Sequence, residues 1–221
     1  LETDIHATRD GKVVTFHDDA LERLTDGRGK VWQHDWADLA GLDAAYHFDP
    51  AHGYPRRGTG VRIPLLEEVL AAFPQCLLNL DLKQPGMEDL LAAELARLGA
   101  EDRVLVGSFH DNRLARFRKA SGGHVATSAG PSEVLAALAA VRLGRPLRGA
   151  ADAYQVPERS GPIKVVGPRF LKAAHAAGKQ VHVWVVNEPA AMNRLLDLGV
   201  VGIVSDRADL LAEVVARRHA S

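Results

Sequence analysis

The sequence predicts an α/β barrel of the (β/α)8 type that lacks its first strand and helix. Three observations carry this. From Cys76 onward, short β-branched runs alternate with Ala/Leu-rich amphipathic stretches. Glycines stand just after several of those stretches, where a helix ends in a left-handed residue. The chain also opens on a tight strand–turn–strand unit followed by a long irregular excursion.

The alternation places strands at 77–83, 104–109, 124–128, 153–157, 181–186 and 202–205. Helices fall at 88–98, 112–120, 131–143, 167–177, 189–198 and 208–217, with Gly99, Gly178 and Gly199 as C-caps. Strand followed by helix, repeated, implies right-handed βαβ units and a parallel sheet. Residues 1–8 form a strand, Arg9-Asp10-Gly11-Lys12 a turn, and 13–16 a second strand. A connection that short joins only antiparallel neighbours, so the second strand is a hairpin return. An inserted region of about 19–64, rich in Gly, His and Asp, precedes a helix at 64–73. Counting 1–8 as a stave gives seven, one fewer than a closed barrel needs. No linker or low-complexity segment interrupts residues 1–221, which read as a single domain.

Composition narrows the function classes. The chain has 221 residues, 47% hydrophobic and 25% charged, enough for one substantial core. With 27 basic against 28 acidic residues, it offers neither a nucleic-acid-binding surface nor a polybasic membrane face. No apolar run reaches the ~18 residues a spanning helix needs. Cys76, the one cysteine, reads as a buried structural thiol and favours a cytoplasmic setting. Leu1-Glu2-Thr3-Asp4-Ile5 resembles the middle of a strand, so the chain is expected to be a trimmed piece.

Alternate side chains on a strand share a face, so Glu2 and Asp4 point the same way, about 6.6 Å apart. Asn79, Asp81 and Lys83 repeat the arrangement on the next stave. Three carboxylates crowded at the C-terminal ends of adjacent staves repel and raise one another's pKa values. A hard divalent cation such as Mg²⁺ or Ca²⁺ removes that conflict, and Lys83 adds a fixed charge for an anionic oxygen. Taken singly, an E-x-D or D-x-K on a strand marks a solvated face or an ion pair. His17, at the mouth of its strand, suits general acid or base work, or else bonds locally to Asp18. His6 shares the face of Glu2 and Asp4 and either orients a carboxylate or binds metal. Trp184 walls a pocket or packs in the core. No phosphate-binding P-loop, dinucleotide fingerprint or nucleophile elbow occurs.

In order, the segments Glu2-Thr3-Asp4-Ile5, Asp10-Gly11-Lys12-Val13-Val14-Thr15-Phe16-His17-Asp18 and Leu24-Thr25-Asp26-Gly27-Arg28-Gly29 resemble the glycerophosphodiester phosphodiesterase family. The likeness continues through Ile63-Pro64-Leu65-Leu66-Glu67-Glu68, Asn79-Leu80-Asp81-Leu82-Lys83, Ser108-Phe109, Val183-Trp184-Val185-Val186-Asn187 and Gly202-Ile203-Val204-Ser205-Asp206. The resemblance implies a TIM barrel that hydrolyses glycerophosphodiesters to an alcohol and glycerol 3-phosphate. It implies Glu2, Asp4 and Asp81 as ligands of a divalent metal, Mg²⁺ or Ca²⁺. Lys83 would contact the phosphate, Trp184 would line the substrate pocket, and His17 would be one of two acid/base histidines. The excursion would shape the glycerol pocket.

Two departures matter. Asp81 stands where the family often has Glu, which draws the metal towards that strand. The family's His-Arg-Gly strand and its Pro-Glu-Asn-Thr stretch are not in this sequence. A chain lacking that unit is expected to fold poorly, or to need the piece in trans or by oligomerisation. The alternative is a non-catalytic remnant that binds metal or phosphodiester. A barrel enzyme using the same carboxylates on sugars is disfavoured by the His17-Asp18 hairpin and the loop that follows it.

Overall fold

The computed structural model describes residues 1–219, which gather into two compact units. The first comprises 1–108 and 112–125; the second comprises 109–111 and the chain from 126 onward.

In the first unit, β1 (Glu2–Ala7) turns back through a hairpin into β2 (Val13–Thr15). The pair is antiparallel, with Ile5 opposite Thr15 and Ala7 opposite Val13. The turn closes by Thr8 N–H donating to the Lys12 carbonyl and Lys12 N–H to the Thr8 hydroxyl, and Gly11 adopts φ 76°, a left-handed value open to glycine. β3 (Leu78–Leu82) runs parallel to β1, and β4 (Val104–Gly107) parallel to β3, giving the order β2-β1-β3-β4. Period-2 alternation sets what each strand buries. Leu78, Leu80 and Leu82 turn to the helix side, leaving Asn79 and Asp81 on the opposite face.

Three helices cover that apolar side: α2 (Leu66–Ala72), α3 (Glu88–Leu98) and α4 (Asp111–Ala120), following a single-turn α1 (Trp36–Leu39). Leu66 and Leu70, Leu91 and Leu95, and Leu114 and Phe117 recur at helical spacing and are all buried. Each such side chain stabilises the fold by about 1.5–3 kcal/mol relative to exposure.

The excursion is largely irregular, as its sequence indicates, yet it has a core of its own. Val14, Phe16, Leu21, Val31, Leu39 and Ile63 pack together there. Arg9 clamps it through a two-point bond to Asp35, at 2.8 and 2.7 Å.

The second unit holds the parallel strands β5 (Ala126–Thr127), β6 (Ala153–Val156), β9 (Gln180–Val183) and β10 (Gly202–Ile203). They run in the order β6-β9-β10, with Ser128 just past β5 bridging Ala153 of β6. Helices α5 (Pro131–Arg142), α6 (Pro168–Ala176), α7 (Pro189–Asp197) and α8 (Ala208–His219) alternate with them. Pro131, Pro168 and Pro189 each open a helix at its first position, where the missing N–H costs nothing. A small antiparallel pair, β7 (Arg159–Ser160) and β8 (Ile163–Lys164), was not legible as strand because its residues lie exposed and carry no alternation. β9 stops at Val183, earlier than the apolar run 181–186 indicates. No described helix is long and apolar enough to cross a membrane.

Candidate active site

The β1–β3 register assembles the site. It sets Glu2 beside Asn79 and Asp4 beside Asp81, all on the face turned away from the helices. Lys83, just past the end of β3, reaches back between the carboxylates. Its Nζ lies 2.9 Å from Asp4 Oδ1 and 2.8 Å from Asp81 Oδ2.

Burial and charge pull against each other here. Burial raises the pKa of Asp81, and the bond from Lys83 offsets this only in part. Glu2 stays open to solvent, but its pKa is also raised, first by partial burial and then by Asp4 and Asp81. Burial works against the Lys83 charge too, yet its bonds to Asp81 and Asp4 outweigh that and raise its pKa. Lys83 is therefore held as an ammonium.

Lys83 supplies part of the positive charge that the repulsion among the carboxylates calls for. Among the described residues, no three His, Cys, Asp or Glu side chains stand together as a ready metal cage. The donor set nevertheless suits a hard cation. Three carboxylates against one ammonium leave a surplus of two negative charges, and buried Asn79 Oδ1 beside them has no donor among the described residues. Such an ion would share Asp4 and Asp81 with Lys83.

His17 follows β2 and makes the local bond to Asp18 that one of its two readings expects. Its Nδ1 lies 2.5 Å from Asp18 Oδ1, while the imidazole stays 61% exposed. Asp18 is gripped from its other side by Arg23, Nε at 2.5 Å and Nη2 at 2.6 Å. The Arg23 guanidinium, aided by His17, holds the Asp18 carboxyl down at about 2. Asp18, as an anion, can only accept, so Nδ1 of His17 is the donor in this contact. This Arg23–Asp18–His17 chain was missed in the sequence, where nothing marks Arg23, five residues beyond Asp18, as its partner.

His6 lies on the face of Glu2 and Asp4 but orients no carboxylate. It is fully buried, and neither ring nitrogen has a hydrogen-bond partner among the described residues. Trp32 from the excursion stacks over it at 6.3 Å, and burial lowers its pKa. Trp184 stands one residue beyond β9 in the second unit, half-buried. Its ring meets Phe109 edge-on at 5.6 Å and 78°, so it lies at a strand end and outside the unit's buried core.

Residues 1–210 match the Glycerophosphoryl diester phosphodiesterase family. The chain belongs to this family. A probable glycerophosphodiester phosphodiesterase 2 of Mycobacterium tuberculosis is 38% identical over 99% of this chain and 80% of its own length. A glycerophosphodiester phosphodiesterase of Bacillus subtilis is 30% identical over 97% of this chain and 75% of its own. Among solved structures, a glycerophosphoryl diester phosphodiesterase domain from M. tuberculosis superposes with a TM-score of 0.83 at 20% identity. It covers 98% of this chain and 87% of that one. An Oleispira antarctica phosphodiesterase, solved with the product sn-glycerol-3-phosphate, gives 0.73 at 24% identity, covering 97% and 84%. These likenesses fix the fold as the family's α/β TIM barrel, as the alternating elements predict. Like its phosphodiesterase relatives, a member of this family is a phosphoric diester hydrolase.

Proposed function

We propose that the chain hydrolyses glycerophosphodiesters to an alcohol and glycerol 3-phosphate at the site built around Lys83. The observation that carries this is the Lys83 ammonium held between Asp4 and Asp81 beside Glu2. It combines fixed positive charge for a phosphate with surplus carboxylates for a cation. In this reading Glu2, Asp4 and Asp81 hold a divalent ion, Mg²⁺ or Ca²⁺. When bound, that ion neutralises phosphate charge and polarises the phosphorus–oxygen bonds.

The chain's own residues do the rest. Lys83 pairs with a non-bridging phosphate oxygen and orients the diester. A water oxygen forms a bond to phosphorus as the bond to the leaving alcohol breaks. His17 takes the water's proton at Nε2 and passes it to the departing alcohol oxygen. Asp18, fixed by Arg23, keeps the imidazole in the tautomer this needs. Trp184 gives the substrate's glycerol carbons an apolar wall.

Release of glycerol 3-phosphate from glycerophosphocholine tests the reading, run with EDTA, with Ca²⁺ or Mg²⁺ restored, and with His17→Asn. EDTA should abolish turnover and added cation restore it. His17→Asn should lose 10²–10⁴-fold in rate, the usual span for a lost acid–base group. Turnover indifferent to both treatments rejects the proposal.

A further inference from the structure

We propose that Arg113 is a positioning residue for Lys83, an inference that rests on the function read above. Arg113 is the third residue of α4 and is half-buried. Its Nη1 donates to the carbonyl of Lys83 at 2.6 Å and to that of Leu82 at 3.2 Å. The Leu82 carbonyl also accepts from the hydroxyl of buried Ser108, at 3.0 Å. These carbonyls lie where the β3–β4 pairing has run out, its last pair being Asp81 and Gly107. On the other side, the amide of Lys83 donates to the carbonyl of Ile5 at 3.4 Å. Arg113 and Ser108 thus tie down the backbone that carries the Lys83 side chain.

The placement is unusual on electrostatic grounds. A cation in the first turn of a helix faces the positive end of the macrodipole and is disfavoured there. Arg113 offsets this by serving both carbonyls, and its charge also lies close enough to Asp81 to favour the ionised carboxylate. It therefore acts on the site in two ways. It fixes the strand end from which the Lys83 ammonium reaches the phosphate, and it adds a second positive charge near Asp81. Both effects favour an anion. Neither assists a cation, because a positive charge near a carboxylate weakens its hold on metal.

That asymmetry separates positioning from simple structural support. In Arg113→Gln, the affinity for sn-glycerol 3-phosphate, measured by calorimetry on the full chain, should fall about tenfold. The affinity for Ca²⁺ should stay the same or rise, and KM for glycerophosphocholine should rise more than kcat falls. Arg113→Lys, with a donor but no fork, should recover part of the loss. Backbone hydrogen exchange at 82–85 should quicken in Arg113→Gln and not in the control Arg116→Gln on the same helix. Unchanged exchange overturns the proposal whatever the activity. So does a fall of both affinities together, which would report a site generally damaged. If the wild-type chain neither binds sn-glycerol 3-phosphate nor turns over the diester, the functional reading fails separately, and exchange alone still decides whether Arg113 holds the strand end.

Discussion

Replacing Lys83 with methionine removes the ammonium while keeping most of the side-chain volume. Lys83 is 25% exposed, and its partners Asp4 and Asp81 are 14% and 13% exposed, so the cluster is neither a surface pair nor a dry one. Exposed pairs contribute under about 1 kcal/mol. Breaking a buried pair by removing one partner costs about 3–5 kcal/mol. Two bonds lost at this intermediate burial give an expected loss of about 2–3 kcal/mol in EDTA. With a urea slope of about 2 kcal/mol/M, the unfolding midpoint should fall by roughly 1–1.5 M. The two stranded carboxylates can recover part of the loss by binding protons, so the defect should be larger at pH 8 than at pH 5. Calcium should reverse it. An ion at a hundredfold over its dissociation constant stabilises the folded state by about 2.7 kcal/mol. Without Lys83 the carboxylates bind the ion more tightly, so the variant should gain more than wild type. Turnover should nevertheless fall by about 10²–10³, since the cation facing the phosphate is gone. An unshifted midpoint in EDTA, or equal calcium gains in both proteins, would refute this account of the cluster.

Further measurements bear on other parts of the molecule. Asp18 has a folded pKa of about 2, depressed from 3.8, so its bonds to Arg23 and His17 stabilise fully above its ordinary pKa. That contribution disappears as pH falls through about 2, so acid-unfolding curves of wild type and Asp18→Asn should differ at pH 5 and converge near pH 2. Trp184→Ala should raise KM for glycerophosphocholine with kcat changed only a few-fold; an unchanged KM removes Trp184 from the pocket. Leu80→Ala, at a position with no exposed surface, should cost about 2–5 kcal/mol by urea unfolding. A loss below about 1 kcal/mol would mean that β3 is not packed against its helices.

The fold was largely legible because period 2 and period 3.6 leave different marks. β3 alternates leucine with Asn79 and Asp81, and α3 buries Leu91 and Leu95 one turn apart. Boundaries were less legible. Residues 184–186 are as apolar as a strand, yet the regular strand ends at Val183, beyond which Trp184 and Val186 make only single backbone bonds to Val156 and Val204. In the site, Glu2, Asp4, Asp81 and Lys83 could be placed together because two short strands fix their faces by parity. Arg23 and Arg113 could not. Each reaches its partner through a loop or across from a helix, and no periodicity links Arg113 to Leu82 and Lys83, some thirty residues earlier. Nor does the sequence reveal that Trp32 seals His6 from water, since both lie in segments whose path is set by tertiary packing.

The two faces of β2 serve different masters. Val13 joins the core shared with the helices, whereas Val14 belongs to the separate core of the excursion. A region with its own hydrophobic cohesion can be rebuilt by mutation without unsettling the staves that hold Glu2, Asp4 and Asp81. Residues between Asp19 and Arg62 can therefore be redrawn with little disturbance to those strands, provided Arg23 keeps its grip on Asp18. Transplanting that stretch between relatives, cut at the hairpin and at Pro64, is the corresponding route for an engineer.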